Sequence, residues 1–274
     1  MNNKKIIIFT DLDATLLDEN YLWKSATEAL NKIKDLEAHL ILNSSKTLSE
    51  ISLIRNDLQL IDPVIAENGA VVGIPQNLLN KTNNKDLFIH TDDSINRNEI
   101  ISILNSIRNE YNFKFEGFSD WSPATVSEKT NLSIENAYLA LDRKMTEPIL
   151  WMDNKNNYEI FNNLIKAKNL CSINGGIFKH IMAVNINKGS PMKKLMHLYD
   201  RTYPNQEIIS IGLGDSENDI SMLNNSDYAV IIPNKSKKNI EIKHKQLVVS
   251  KYPGPVGWNH EILKILDNLN VKVV

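Results

Sequence analysis

Three apolar runs near the start of the chain each break off into charged or amide side chains, and this arrangement constrains the fold more than any other feature. The runs lie in IIIFTDLDATLLD, AHLILNSSKT and DPVIAENGA. Each core is apolar without alternation, which reads as a strand buried on both faces. Between them, Ser25 to Asp35 carries helical spacing through Ala26, Leu30 and Ile33. Leu48 to Asp57 does so with Ile51, Leu53 and Ile54, and Leu58 extends that apolar face. The order β-α-β-α-β predicts a parallel sheet with helices on both faces. Ligands of such sheets bind at the carboxyl ends of the strands. The polar clusters fall at those ends: Asp11 and Asp13, then Ser44, Ser45 and Lys46, then Glu67 and Asn68.

The middle of the chain changes character. VVGIP reads as a hairpin arm, and Asn80 to Leu87 as a polar linker. Helices are predicted at Asn98–Glu110, Ile134–Arg143 and Tyr158–Ala167, with a strand at Ile149–Met152 and two short strands around Asn174–Gly176. The first pattern returns with a strand at Ile208–Ile211, the strands DYAVII and LVVS, and a helix at Asn259–Leu269. The expected architecture is α/β: a Rossmann-like, doubly wound parallel sheet carrying an inserted α/β cap. The expected division is core at 1–84, cap at 85–184 and core again at 185–274.

Composition narrows the partners. A formal charge of −2 supplies no polycation for nucleic acid and no basic patch for an acidic membrane surface. No apolar run approaches the ~20 residues that span a bilayer. No secretory signal is visible after Met1, and the single cysteine, Cys171, cannot form an internal disulfide. A cytoplasmic, reducing compartment is expected, with the chain a monomer or a homodimer.

Asp11 and Asp13 stand two residues apart, so on extended backbone they share a face at about 6–7 Å. Like charges that close require a cation or a shared proton. GLGDSEND repeats the pattern: Asp215 follows a strand directly, Ser216 can cap the next helix, and Asp219 lies one turn on. If this strand neighbours the first, the carboxylates converge. Carboxylates without histidine or cysteine call for a hard, oxygen-loving cation, Mg²⁺ by preference. Lys188, beside Gly189 at a helix start, is placed to hold a phosphate or a carboxylate.

DLDAT, Ser44, Lys188 and GLGDSEND resemble, in order and spacing, the four motifs of the haloacid dehalogenase-like phosphatases. The resemblance implies a Mg²⁺-dependent phosphatase. Asp11 would be the nucleophile, Asp13 the acid and base, and Lys188 a charge-balancing catalytic residue. Asp11, Asp13 (by its backbone carbonyl), Asp215 and Asp219 would form the metal site. Ser44, Ser45 and Lys46 would hold the phosphate, and Asn68 would shape the loop facing the cap. One departure is Ala14, where the family usually has glycine; the change is small, and lowered activity at most is expected.

NSSKT, AENGA, DRKMTEP, NGGIFKH and GPVGW are similar to stretches of the mannosyl-3-phosphoglycerate phosphatase group. That likeness implies a small phosphorylated sugar-glycerate substrate. Arg143, Gly175, Gly176, Lys179 and His180 in the cap are then the candidates for glycerate carboxylate and sugar. Trp151 and Phe178 are expected in the cap core. Glucosyl-3-phosphoglycerate, sucrose phosphate or another sugar phosphate remain alternative substrates, and a phosphohexomutase-type transferase remains an alternative reaction.

Overall fold

The structure, a computed structural model, describes residues 4–80, 86–92, 94–234 and 240–269. The chain forms β1 (Lys4–Thr10), α1 (Thr27–Asp35), β2 (His39–Asn43), α2 (Leu48–Asp57), β3 (Val64–Ala66), β4 (Val71–Pro75), α3 (Gln76–Asn80) and β5 (Leu87–Thr91). It continues through α4 (Arg97–Tyr111), β6 (Phe115–Gly117), α5 (Pro123–Thr130), α6 (Ile134–Leu141), β7 (Glu147–Trp151), α7 (Lys155–Lys166), β8 (Leu170–Gly175) and β9 (Phe178–Ala183). The last part is α8 (Gly189–Thr202), β10 (Glu207–Gly214), α9 (Ile220–Asn224), β11 (Tyr228–Ile231), β12 (Leu247–Val249) and α10 (Gly254–Asn268).

The larger sheet runs β12-β11-β10-β1-β2-β3-β4-β5. Its strands from β12 to β3 are parallel, and β4 and β5 add antiparallel arms. β1 is buried on both faces for the reason the sequence suggests. Ile6 and Ile8 pack with Ala29, Ile33, Trp258 and Ile262 on one side. Ile7 and Phe9 pack with Met192, Leu195 and Tyr199 on the other. One expectation for α2 fails: Ile51 is buried, but Leu53 is 53% exposed and faces solvent. The helix is held at its start instead by a Thr47–Glu50 capping box, worth about 1 kcal/mol.

The second sheet, β6-β7-β9-β8, is antiparallel. α4 and α7 cover one face through Ile100, Leu104, Phe161 and Ile165, which pack on Phe115, Ile149 and Ile181. Trp151 joins this aromatic cluster, as expected of cap core. β5, which the expected division puts in the cap, pairs with β4 in the larger sheet. The linker expected at Asn80–Leu87 lies mostly outside the described residues. Among the described residues, no helix is long and apolar enough to cross a membrane.

Candidate active site

β1 and β10 are hydrogen-bonded neighbours, with Thr10 opposite Leu213. Asp11 follows β1 and Asp215 follows β10, so strand register alone sets the two acids side by side. The Asp11 amide extends the ladder by donating to the Leu213 carbonyl at 2.9 Å. After β10 the chain turns so tightly that a Cβ on Gly214 would stand 2.4 Å from the Asp219 Cβ. Asp219 folds back, and its Oδ2 accepts from the Asp215 and Ser216 amides at 3.0 Å each. Lys188, fully buried at the start of α8, donates to Asp11 Oδ1 and to Asp219 Oδ1 at 2.6 Å each. Its backbone is held in turn by Asn43, whose side-chain amide donates to the Lys188 carbonyl.

Asp11, Asp215 and Asp219 each offer an oxygen within 4.8 Å of the others, and all three are buried. One ammonium against three carboxylates leaves the cluster negative, and burial makes the imbalance costly. The Asp11 carboxyl responds: burial raises it, Lys188 opposes, and Asp219, Asp215 and Asp13 add to the rise, so it is pushed up from 3.8 to about 7. Burial alone would lower Lys188, but Asp11 and Asp219 outweigh it and hold the ammonium above its ordinary value. A divalent cation would remove the excess charge, and an all-oxygen donor set suits Mg²⁺.

The other expected residues sort into those at the site and those behind it. The Asp13 carboxylate does not join the acidic trio; it faces the cavity and pairs with Lys46 Nζ at 3.1 Å. Burial would lower Lys46, but Asp13 and Glu50 raise it above its usual value. Ser45 and Lys46 line the cavity. Ser44 is buried behind them, where its hydroxyl accepts from the Lys46 amide at 3.3 Å. Asn68 is also buried behind the wall, and its Oδ1 accepts from Asn218, a lining residue, at 3.0 Å.

The cavity between the two sheets holds about 480 Å³ and is closed on the cap side by Arg143, Phe178, His180, Gly175 and Gly176. Phe178 therefore serves both as wall and as core, stacking edge-on with Phe118. Arg143 donates to the Ser45 carbonyl at 3.2 Å and to Thr146 Oγ1 at 3.0 Å, while its Nε is buried with no partner among the described residues. His180 Nδ1 is likewise buried and has no partner among the described residues. Burial, then Arg143 and Lys188, push the imidazole down to about 3, so it is neutral. Gly175 is required here, because a Cβ would stand 2.3 Å from His180 Nε2. Lys179 does not belong to the cavity. Alternation along β9 turns it to the opposite face from His180, where it bonds Asn174 and lies over the Tyr158 ring.

The family profile of the haloacid dehalogenase-like hydrolases matches residues 8–251. This chain belongs to that family. It is 32% identical over 270 residues to a glucosyl-3-phosphoglycerate/mannosyl-3-phosphoglycerate phosphatase of Persephonella marina, covering 96% of this chain and 98% of the relative. It is also 32% identical over 277 residues to a protein of the same name from Methanococcoides burtonii, covering 97% and 99%. In fold it is similar to a crystal structure from Thermoplasma acidophilum, with a TM-score of 0.67, 15% identity, and coverage of 98% and 99%. The chain is a phosphatase of the haloacid dehalogenase-like class.

Several residues of this hydrolase's site escape sequence reasoning. Asn234 donates to Asp215 Oδ2 at 2.6 Å, and Thr15 to Asp11 Oδ2 at 3.3 Å. Trp258, fully buried in the GPVGW stretch, donates to Thr10 Oγ1 at 2.9 Å. Thr10 passes the bond on to the Asp11 carbonyl at 2.7 Å. GPVGW was visible as a motif, but its role was not, because its partner lies at the other end of the chain. Glu67 was visible only as a strand end.

Proposed function

We propose that the protein is a Mg²⁺-dependent phosphatase of glycosyl-3-phosphoglycerates, taking the mannosyl or glucosyl ester. The observation that carries this reading is a two-sided cavity. Its core side is a buried Asp11–Lys188–Asp219 cluster, and its cap side is lined by the side chains of Arg143 and His180. The names of the relatives support the substrate class.

Asp11 attacks phosphorus in line, forming an aspartyl–phosphate bond as the bond to the glycerate oxygen breaks. Asp13, on the open side of the cavity, gives its proton to that leaving oxygen. It then takes a proton from the water that attacks phosphorus and frees Asp11. Lys188 keeps Asp11 pointed at the phosphoryl group and balances the charge that builds there. Asp11, Asp215 and the Asp13 carbonyl, with Asp219 beside them, would hold Mg²⁺, which would supply positive charge against the carboxylates and the phosphoryl oxygens. Ser45 and Lys46 hold the phosphate. A guanidinium recognises a carboxylate through strong charge-assisted bonds, which suits Arg143 to the glycerate. His180 Nδ1 can donate to the same group or accept a sugar hydroxyl.

The test is phosphate release with Mg²⁺ from mannosyl- and glucosyl-3-phosphoglycerate, 3-phosphoglycerate, sucrose 6-phosphate and mannose 6-phosphate. A marked preference for the glycosyl-phosphoglycerates is expected. A preference for sucrose or mannose phosphate would replace the substrate, and transfer of phosphate to a second sugar without hydrolysis would replace the reaction.

A further inference from the structure

The turn Glu67–Asn68–Gly69 follows β3 with φ values of 48°, 58° and 108°. Only glycine adopts that region freely. Asparagine visits the region routinely, as Asn112, Asn131 and Asn169 do here, whereas Glu67 is a long side chain held there while wholly buried. The surroundings of this turn are the loops of the site. The Glu67 amide donates to the Lys46 carbonyl at 2.9 Å, and the Asn68 amide to the Ser44 carbonyl at 3.0 Å. The Asn68 side chain accepts from Asn218 on the Asp215 loop. A Cβ on Gly69 would stand 2.2 Å from the Asn187 carbonyl oxygen, one residue before Lys188.

The Glu67 side chain makes a different set of contacts. It is wholly buried, and its carboxylate accepts from the Lys144 amide at 2.7 Å, the Met145 amide at 3.0 Å and Thr146 Oγ1 at 2.7 Å. Those donors belong to the segment that crosses from α6 into β7 in the cap. Thr146 Oγ1, while donating to Glu67, accepts from Arg143 Nη1 at 3.0 Å. The same nitrogen reaches the Ser45 carbonyl at 3.2 Å. An acceptor-only carboxylate meets all three donors; a glutamine amide would turn a donor against one of them.

We infer that Glu67 is a positioning residue: its carboxylate latches the cap crossover to the core and, through Thr146, sets Arg143 over the cavity. The consequence for catalysis rests on the role given to Arg143 above. The Glu67 carboxylate bonds the cap crossover and not the acidic cluster, and the contacts to the phosphate-holding segment are to the backbone carbonyls of Ser45 and Lys46, so the side-chain latch governs recognition of the substrate's far end rather than attack on phosphorus.

The experiment compares Glu67→Gln, Thr146→Val and Thr146→Ser with the wild type. Steady-state kinetics are read on glucosyl-3-phosphoglycerate and on acetyl phosphate, which is too small to need Arg143. Amide hydrogen exchange is read at Lys144 and Met145. Glu67→Gln and Thr146→Val should raise KM for the large ester by about tenfold, the effect of one lost hydrogen bond in a charged network. In both variants kcat for that ester, and both constants for acetyl phosphate, should stay near wild type. Thr146→Ser, which keeps the hydroxyl, should restore KM, and exchange at Lys144 and Met145 should quicken in Glu67→Gln. Wild-type exchange and KM in Glu67→Gln would overturn the latch. So would equal losses on both substrates with Thr146→Ser no better than Thr146→Val, which would mark a merely structural role. A wrong substrate is recognisable separately, because the wild type itself would then show no preference for the large ester, while the exchange measurement would still decide the latch.

Discussion

The two walls of the cavity are built on opposite plans. On the core wall the acidic oxygens are engaged: Asp219 takes Lys188 and two amides, Asp215 takes Ser216 and Asn234, and Asp11 takes Lys188 and Thr15. On the cap wall, Arg143 Nε and His180 Nδ1 have no partner among the described residues, and on the core side the amide atoms Asn43 Oδ1 and Asn68 Nδ2 share that state while the carboxylates do not lack contacts. Buried polar atoms are seldom left so. The difference teaches a division of labour. Chemistry needs groups fixed before substrate arrives, whereas recognition needs donors whose satisfaction depends on substrate.

The largest expected effect breaks the core wall. Asp11→Asn keeps the shape but removes the nucleophile, so phosphate release should fall by on the order of 10⁴-fold or more while circular dichroism stays native. Retained activity would remove Asp11 from the chemistry. Next is the cap wall: Arg143→Ala should lower kcat/KM on the glycosyl-phosphoglycerate by about 10–100-fold, as expected for a lost charged hydrogen bond. A change of less than twofold would separate Arg143 from recognition.

A pH series sharpens the contrast further. Asp11 is raised from 3.8 to about 7 without a cation, chiefly by burial. A raised carboxyl binds its proton more tightly in the folded chain than in the unfolded one. Its stabilising contribution is therefore present at low pH and lost as pH climbs from about 4 to about 7. A cation offsets that loss, so the gain in Tm on adding Mg²⁺ should grow from pH 5 to pH 7.5 and then level off. A gain that does not vary with pH would contradict the charge imbalance assigned to the core wall.

The smallest effect concerns Ala14, which sits at φ 60° on the rim. Left-handed backbone costs a non-glycine residue about 1–2 kcal/mol, and glycine returns roughly 0.5–1 kcal/mol of that as chain entropy. Ala14→Gly should therefore shift stability by about 0–1.5 kcal/mol, toward the more stable side, with activity equal or higher. A clear loss of stability in denaturant titration would show that the alanine methyl packs usefully.

The core was legible because its strands are buried on both faces and its acids stand at strand ends, where topology alone gathers them. Asp11 and Asp215 needed only the order of strands, and Lys188 was marked by Gly189 at a helix start and by the family resemblance. The cap was harder to read. β6 has three residues, and α5 carries a single buried apolar side chain, Val126, too little for a period to show. Lys179 and His180 are adjacent in sequence, and only the register of β9 on β7 decides which one lines the cavity. Glu67 and Trp258 act on partners some 77–79 and 248 residues away, so no local pattern marks their roles.

The division between the two walls is tested most directly by one comparison on the wild-type enzyme. The ratio of kcat/KM is measured, with Mg²⁺, between glucosyl-3-phosphoglycerate and its analogue in which the carboxylate is reduced to an alcohol. The account predicts that the carboxylate ester is favoured at least tenfold, mostly through KM, with kcat similar for both. Equal kcat/KM for the two esters would contradict it, because the unpartnered nitrogens of the cap wall would then have no part in choosing the substrate.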